Sequence, residues 1–373
     1  MDFPFPDLVH LFKALVMMEQ ANLMVLIFVV LSIGLSLLVN ALFLKFSTNL
    51  GTRNKDGLVR WSAQVKPSVG GFSFFFCFLL SVVAAALTFG QNNEVVPFLG
   101  LVGACTLGFL IGLADDAYNT RPALKFSGQI GCGLIVWFSG NGISLIGADG
   151  LDFALTLLWV AGLMNSLNML DNMDGITTVV SLMIVLGMAL FMALGPIGFF
   201  QPDVWILLGM AGGLLGFLYY NWNPARIYMG DTGSMFIGVF LAIFSIKLHW
   251  NADFIGPWHR LPGHLLIIWL PFVVPIADTL TVSVNRILAG KSPFVGGRDH
   301  TTHHLAYRGV KERHIAVLYA SLTLAGCILS LILTQTSEAL TWWVSGIGLL
   351  VVTLALYLTT KGKHGPAASN TKK

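Results

Sequence analysis

Charge is scarce in this chain of 373 residues: Asp, Glu, Lys and Arg supply 10 % of it, against roughly 25 % in an ordinary soluble protein. A soluble fold of this length needs far more charge to cover its surface. The scarcity excludes a disordered chain and a nucleic-acid-binding module. Cysteine is scarce too. Cys77, Cys105, Cys132 and Cys327 sit singly inside apolar runs, with no CxxC pair, and read as small buried hydrophobes. That excludes a disulfide scaffold. There is no basic n-region and no small-residue cleavage site at the start, where Asp2 and Asp7 precede the first apolar run, so no secretory leader is expected. No internal repeat is visible. What is abundant is apolar: 55 % of residues are AVILMFWYC and the mean hydropathy is +0.78.

A membrane-spanning helix takes about 20 mostly apolar residues. Eleven runs of that kind occur, at 22–44, 69–89, 96–114, 124–140, 151–170, 176–194, 203–220, 232–250, 264–288, 313–333 and 341–360. The run at 124–140 is the weakest, being short and Gly-rich. The runs are continuous rather than alternating, which excludes a β-barrel. The expected fold class is all-α: a polytopic integral membrane protein with about 11 transmembrane helices. It is read as a single domain over 1–373, with 1–20 an interfacial segment and 361–373 a polar tail.

An odd number of spans puts the termini on opposite sides. The side reached after the first span holds 18 of the 21 Lys and Arg residues; the other holds only Lys13, Lys247 and Arg260. The positive-inside rule makes the cation-rich side cytoplasmic, with the N-terminus outside and the C-terminus inside.

Four polar clusters interrupt the apolar pattern, and all four fall on that side. Asp115 and Asp116 end the third span. Being about 100° apart on a helix, they cannot point the same way, and near a bilayer boundary they ask for a metal, a cation or a shared proton. Lys125 follows as a counter-charge or phosphate ligand. Asn165, Asn168, Asp171 and Asp174 end the fifth span in NSLNMLDNMDG. Their oxygens suit a hard cation, Mg²⁺ or Mn²⁺, and a tightened last turn would keep Asn168, Asp171 and Asp174 aligned. The third cluster, NWNPARIYMGDTGS, places Asp231 between glycines where the eighth span begins. Asp231 or Thr232 suits a helix cap, and the carboxylate equally suits Mg²⁺ on phosphates. Trp222 and Tyr228 offer ring faces for a base. The fourth, at 290–309, holds His300, His303 and His304 with Arg298, Arg308 and Lys291. It lacks the partners of a zinc site and reads better as anion-binding. Asp278 lies deep in the ninth span, either as a functional acid or paired with Arg286.

Oxygen ligands, cationic phosphate ligands and aromatic faces on one side of a multi-span scaffold are the parts needed for phosphoryl transfer from a nucleotide to a lipid. A transporter or lipid flippase is the rival reading. It predicts acids near mid-membrane, on both faces and in repeated halves, which the sequence does not offer.

At these residues the chain resembles the polyprenyl-phosphate N-acetylhexosamine-1-phosphate transferases, glycosyltransferase family 4. The resemblance runs from about Pro67 to Tyr307. It rests on PSVGG at 67–71, LADD at 113–116, NSLNMLDNMDG at 165–175, NPARIYMGDTGS at 223–234, PIADT at 275–279 and SPFVGGRDHTTHH at 292–304. The last loop looks like the N-acetylglucosaminyl branch, since it lacks the consecutive histidines of the muramoyl-pentapeptide branch. The resemblance implies transfer of N-acetylhexosamine-1-phosphate from a UDP-N-acetylhexosamine to a polyprenyl phosphate with Mg²⁺, Mn²⁺ as substitute, at the cytoplasmic face of the inner membrane. It implies Asn168 and Asp231 as metal ligands, and Asp115, Asp116 and Lys125 beside the attacking lipid phosphate. Asp174, Asn221 and Tyr228 fall to the nucleotide, Lys66 and Asp171 to substrate binding, and Arg298, His300, His303 and His304 to the diphosphate and sugar. A homodimer is expected by analogy. Two departures stand out: Asn172 replaces a common Gly, and Gly296-Gly297 lengthen the sugar loop.

Overall fold

The computed structural model describes residues 8–46, 66–90, 95–194, 198–252, 261–293 and 296–361, with side chains from Leu23 onward except that of Leu261. Thirteen α-helices account for most of these residues, and no strand occurs among them. They are α1 (Leu8–Phe46), α2 (Gly71–Phe89), α3 (Val95–Tyr118), α4 (Pro122–Val136), α5 (Asp149–Leu170), α6 (Ile176–Ala193) and α7 (Pro202–Asn221), then α8 (Gly230–Ser245), α9 (Leu261–Trp269), α10 (Val273–Leu288), α11 (Thr301–Tyr307), α12 (Glu312–Gln335) and α13 (Ala339–Thr359). Nine are long and apolar enough to cross a membrane, or ten crossings if the bent pair α9–α10 counts as one. The chain is a polytopic helical membrane protein. Within the expected interfacial segment, residues from Leu8 onward belong to α1 itself; residues 1–7, and the tail from 362, lie outside the described residues.

Two expected spans come out differently. The run at 124–140 is not a candidate by length and composition. Lys125 and Gln129 lower its hydropathy, because α4 turns polar side chains inward: Gln129 is 1 % exposed and exchanges hydrogen bonds with Asn165 of α5. Nevertheless α4 and the π turn after it (Trp137–Asn141) run the length of α3. Lys125 lies beside Asp115 near the end of α3, and Asn141 donates to the Pro97 carbonyl near its start, at 2.8 Å. The run at 264–288 is no single straight helix. α9 and α10 meet at a 97° bend. Pro271 has no N–H to continue the ladder and disfavours helical geometry at Leu270. Gly326 of α12 fills the break, so close that a Cβ there would lie 2.0 Å from the Leu270 carbonyl oxygen.

α8 is the axis of the bundle. Of the 21 residues of Gly230–Trp250, 18 are buried, and α2, α3 and α5 pack around it. Small residues make this packing close, as membrane helices require when no hydrophobic effect drives them together. A Cβ on Gly238 would meet the Met164 Cα at 2.6 Å, and one on Gly71 the Gly233 nitrogen at 2.5 Å. Phe74, Phe75, Phe78, Phe236 and Phe240 interleave between α2 and α8.

Candidate active site

The tertiary fold brings the four polar clusters to one end of the bundle. At its centre is Lys125, delivered by the first turn of α4. Its ammonium lies 2.5 Å from Asp231 Oδ2, 3.2 Å from Asn168 Oδ1 and 3.3 Å from Asp115 Oδ2. Asn168, on the last turn of α5, donates its amide to Asp231 Oδ1 and to Ser234 Oγ, both at 3.0 Å. Four helices (α3, α4, α5 and α8) thus converge on one cation.

The two adjacent acids of α3 diverge, as the helix dictates. Asp115 accepts from the Thr120 backbone N–H at 2.9 Å and hydroxyl at 2.6 Å, which leaves its other oxygen to Lys125. Asp116 turns to α8 and accepts from the Thr232 N–H at 2.9 Å and hydroxyl at 2.7 Å. This corrects the expected cap. Neither Asp231 nor Thr232 caps α8 with its own side chain; an acid from α3 satisfies the orphan donor of its first turn instead. Asp231 is thereby free to face Lys125. The approach is tight: a Cβ on Gly112 would lie 2.1 Å from the Asp231 carbonyl oxygen. Gly112→Ala is therefore expected to destabilise the protein by about 1–3 kcal/mol through overpacking, and to depress turnover by moving Asp231. An unchanged melting curve in detergent would contradict the close approach of α3 to α8.

Asn168, Asp171 and Asp174 do not share a face. α5 ends at Leu170, Asp171 leaves the helical region (φ −75, ψ 53), and Gly175 adopts the left-handed φ of 76 that starts α6. Asp174 turns away from Lys125. It accepts from the Ala225 N–H at 2.8 Å and the Asn223 amide at 3.2 Å, with the Lys66 ammonium 3.9 Å away. Lys66 also lies 5.3 Å from the Tyr228 ring centroid. Lys66, Asp174 and Tyr228 form one partly buried group. Asn221 is 2 % exposed, accepts from Thr178 and donates to the Ile227 carbonyl, so it supports the 223–228 loop from beneath.

The histidine segment docks on the same end. His300 Nδ1 meets Asp278 Oδ2 at 2.8 Å. Asp278 pairs with His300, not with Arg286. Arg286 instead grips Asp299 with two parallel hydrogen bonds of 2.8 and 2.7 Å. Burial raises the Asp299 carboxyl, but the Arg286 hydrogen bond and charge outweigh it and hold it below the usual carboxylate range. That clamp is intact at neutral pH and is lost only as pH falls through the lowered value. Burial above all lowers His303 to about 3, so its ring stays neutral at physiological pH. An open cleft of about 370 Å³ lies here, lined by Arg286, Lys291, Arg298, His304 and Tyr307 among others. Thr302 joins the segment to the end of α5 by donating to Asn172 Oδ1 at 2.6 Å. The departure at Asn172 therefore has a structural consequence: a Gly there could not accept this bond. Thr120, Thr232, Asn172, Asp299 and Thr302 were not singled out as site residues from sequence. Of these, Asp299 beside Arg298, Thr232 as a candidate cap and Asn172 as a departure carried a local signal.

The fold and the site define a polytopic helical membrane protein with acids, amides and one lysine gathered at one end of its bundle. The glycosyl transferase family 4 model matches residues 98–249. The decaprenyl-phosphate N-acetylglucosaminephosphotransferase of Mycobacterium leprae is 30 % identical over 68 % of this chain and 69 % of its own length. The probable undecaprenyl-phosphate N-acetylglucosaminyl 1-phosphate transferase of Bacillus subtilis is 25 % identical over 87 % and 88 %. The phospho-N-acetylmuramoyl-pentapeptide-transferase of Listeria monocytogenes is 27 % identical over 81 % and 94 %. The chain belongs to glycosyl transferase family 4 and is a glycosyl-1-phosphate transferase of that family.

Membership implies a metal-dependent transferase, and the donors fit one. Asp231, Asn168 and Asp115 present only oxygen to a common point, the set a hard cation prefers, and the Lys125 ammonium stands on those oxygens. Among the described residues no three His, Cys, Asp or Glu form a cage.

Proposed function

We propose that the protein transfers N-acetylglucosamine-1-phosphate from UDP-N-acetylglucosamine to undecaprenyl phosphate, giving lipid-diphosphate-sugar and UMP for cell-envelope polysaccharide synthesis. The observation that carries the reading is Lys125 set among Asp115, Asn168 and Asp231. A single ammonium among three oxygen donors, at the end of a membrane bundle, is a site for a reaction of phosphates with lipid. A lipid phosphate oxygen attacks the sugar-linked phosphorus, the bond from that phosphorus to the bridging oxygen breaks, and UMP leaves. A dianionic lipid phosphate needs no base. Mg²⁺ supplies neutralisation of charge on the transferring phosphates.

The chain's own residues do the rest. Lys125 and Asn168 orient Asp231, and Asp115 holds Lys125 from the other side. Asp116 fixes the start of α8. Lys66, Asp171, Asp174 and Tyr228 receive the nucleotide, with Asn221 supporting their loop. Arg298, His300, His303 and His304 receive the diphosphate and sugar. The cation excess at this end supports a cytoplasmic site. The sugar assignment is supported by RDHTTHH, which lacks the consecutive histidines of the muramoyl-pentapeptide branch.

The test is purified protein with undecaprenyl phosphate, Mg²⁺ and a panel of UDP-sugars, scored for UMP. Release is expected with UDP-N-acetylglucosamine above the others. No UMP from any sugar would remove the transferase reading. Preference for the muramoyl-pentapeptide donor would replace the sugar.

A further inference from the structure

Asp278 is 1 % exposed, yet every bond it makes reaches one short stretch of chain. Its Oδ2 meets His300 Nδ1 at 2.8 Å. Its Oδ1 accepts from the Thr301 backbone N–H at 2.8 Å and from the Thr301 hydroxyl at 2.5 Å. The Thr301 hydroxyl is in turn 2.7 Å from the Tyr319 hydroxyl of α12. Thr302, the next residue, bonds Asn172 at the other end of the site. Three successive residues are thus seated by α10, α12 and the turn after α5. The His300 and His303 rings stack edge-on at 5.4 Å behind the last of these anchors.

A carboxylate only accepts hydrogen bonds, so Asp278 dictates which His300 nitrogen carries a proton: Nδ1. Burial makes the constraint stiff, since neither partner has water as an alternative. We propose that Asp278 is a positioning residue for the sugar-diphosphate half of the substrate. It fixes the His300 tautomer and the seat of α11, and acts on the substrate only through them. The inference rests on the transferase reading above.

Asp278→Asn is the discriminating change. If Asn keeps its carbonyl oxygen towards Thr301, its amide N–H₂ faces His300 Nδ1. The ring must then carry its proton on Nε2, the opposite tautomer. With full-length protein in detergent, we expect the KM for UDP-N-acetylglucosamine to rise about tenfold, the loss of one charge-assisted hydrogen bond. The kcat at saturation and the inhibition constant for UMP should stay near wild type, because nucleotide and metal ligands lie elsewhere. Histidine ¹⁵N shifts should report the tautomer change. An unchanged KM in a folded variant overturns the proposal. So does an equal loss of UMP affinity, which would show a general collapse of the site. If Asp278→Asn fails to fold, Thr301→Val decides: it removes the hydroxyl donor but leaves Asp278 and His300, and the same split, smaller, is expected. No split there overturns the proposal. Wild-type protein that releases no UMP overturns the functional reading and this inference with it.

Discussion

Replacing Asp231 with Asn is expected to cut turnover about 100-fold or more, while the bundle stays folded. The amide keeps the shape and one acceptor oxygen, so the Asn168 hydrogen bond at 3.0 Å survives. What disappears is the negative charge 2.5 Å from the Lys125 ammonium. Asp231 is bonded to both Lys125 of α4 and Asn168 of α5, so no neighbour can substitute for it. Mn²⁺ binding, followed by its electron paramagnetic resonance, should weaken alongside turnover. Near-normal UMP release would take Asp231 out of the site. Loss of turnover with full Mn²⁺ affinity would leave it in the site but not as a metal ligand.

Lys125→Met should be comparably damaging to turnover, for a different reason. Met keeps the stem but removes the charge from between Asp115, Asn168 and Asp231. The two carboxylates then face each other without a cation, which is costly in a partly buried place. Because the ammonium and a metal compete for the Asp231 oxygens, we expect Mn²⁺ to bind more tightly to Lys125→Met even as UMP release falls about 100-fold. Lys125→Arg should not rescue, since a planar guanidinium cannot replace a compact ammonium held by three oxygens. Retention of more than a tenth of wild-type turnover in Lys125→Met would contradict the role given to this lysine.

The opposite behaviour of Asp115 and Asp116 marks where sequence reasoning reached its limit. Their divergence follows from the 100° between helical neighbours. Which acid would take a lysine and which a helix end did not, because that depends on α8 crossing α3 at Gly112. The same holds for Asn168, Asp171 and Asp174. Their spacing suggested one metal-binding face, yet α5 stops at Leu170 and only Asn168 stays with Asp231. Asp278 was visible as an acid deep in an apolar run. Its partner was not, since Arg286 is nearer in sequence and His300 lies 22 residues away. The α9–α10 break is legible in Pro271; its 97° angle is not, because Gly326 of α12 sets what the bend packs against.

Scarcity of charge decided, without any structure, that this protein crosses a membrane many times. An apolar run of sufficient length has no other stable place for its side chains and backbone. The same scarcity exposed Asp115, Asp116, Lys125, Asn168, Asp174 and Asp231, since each isolated polar group in such a chain must be satisfied by something. Only the tertiary structure decided by what. Hydrogen bonds are short-ranged and directional, and the partners that complete this site lie as far as 130 residues apart in sequence.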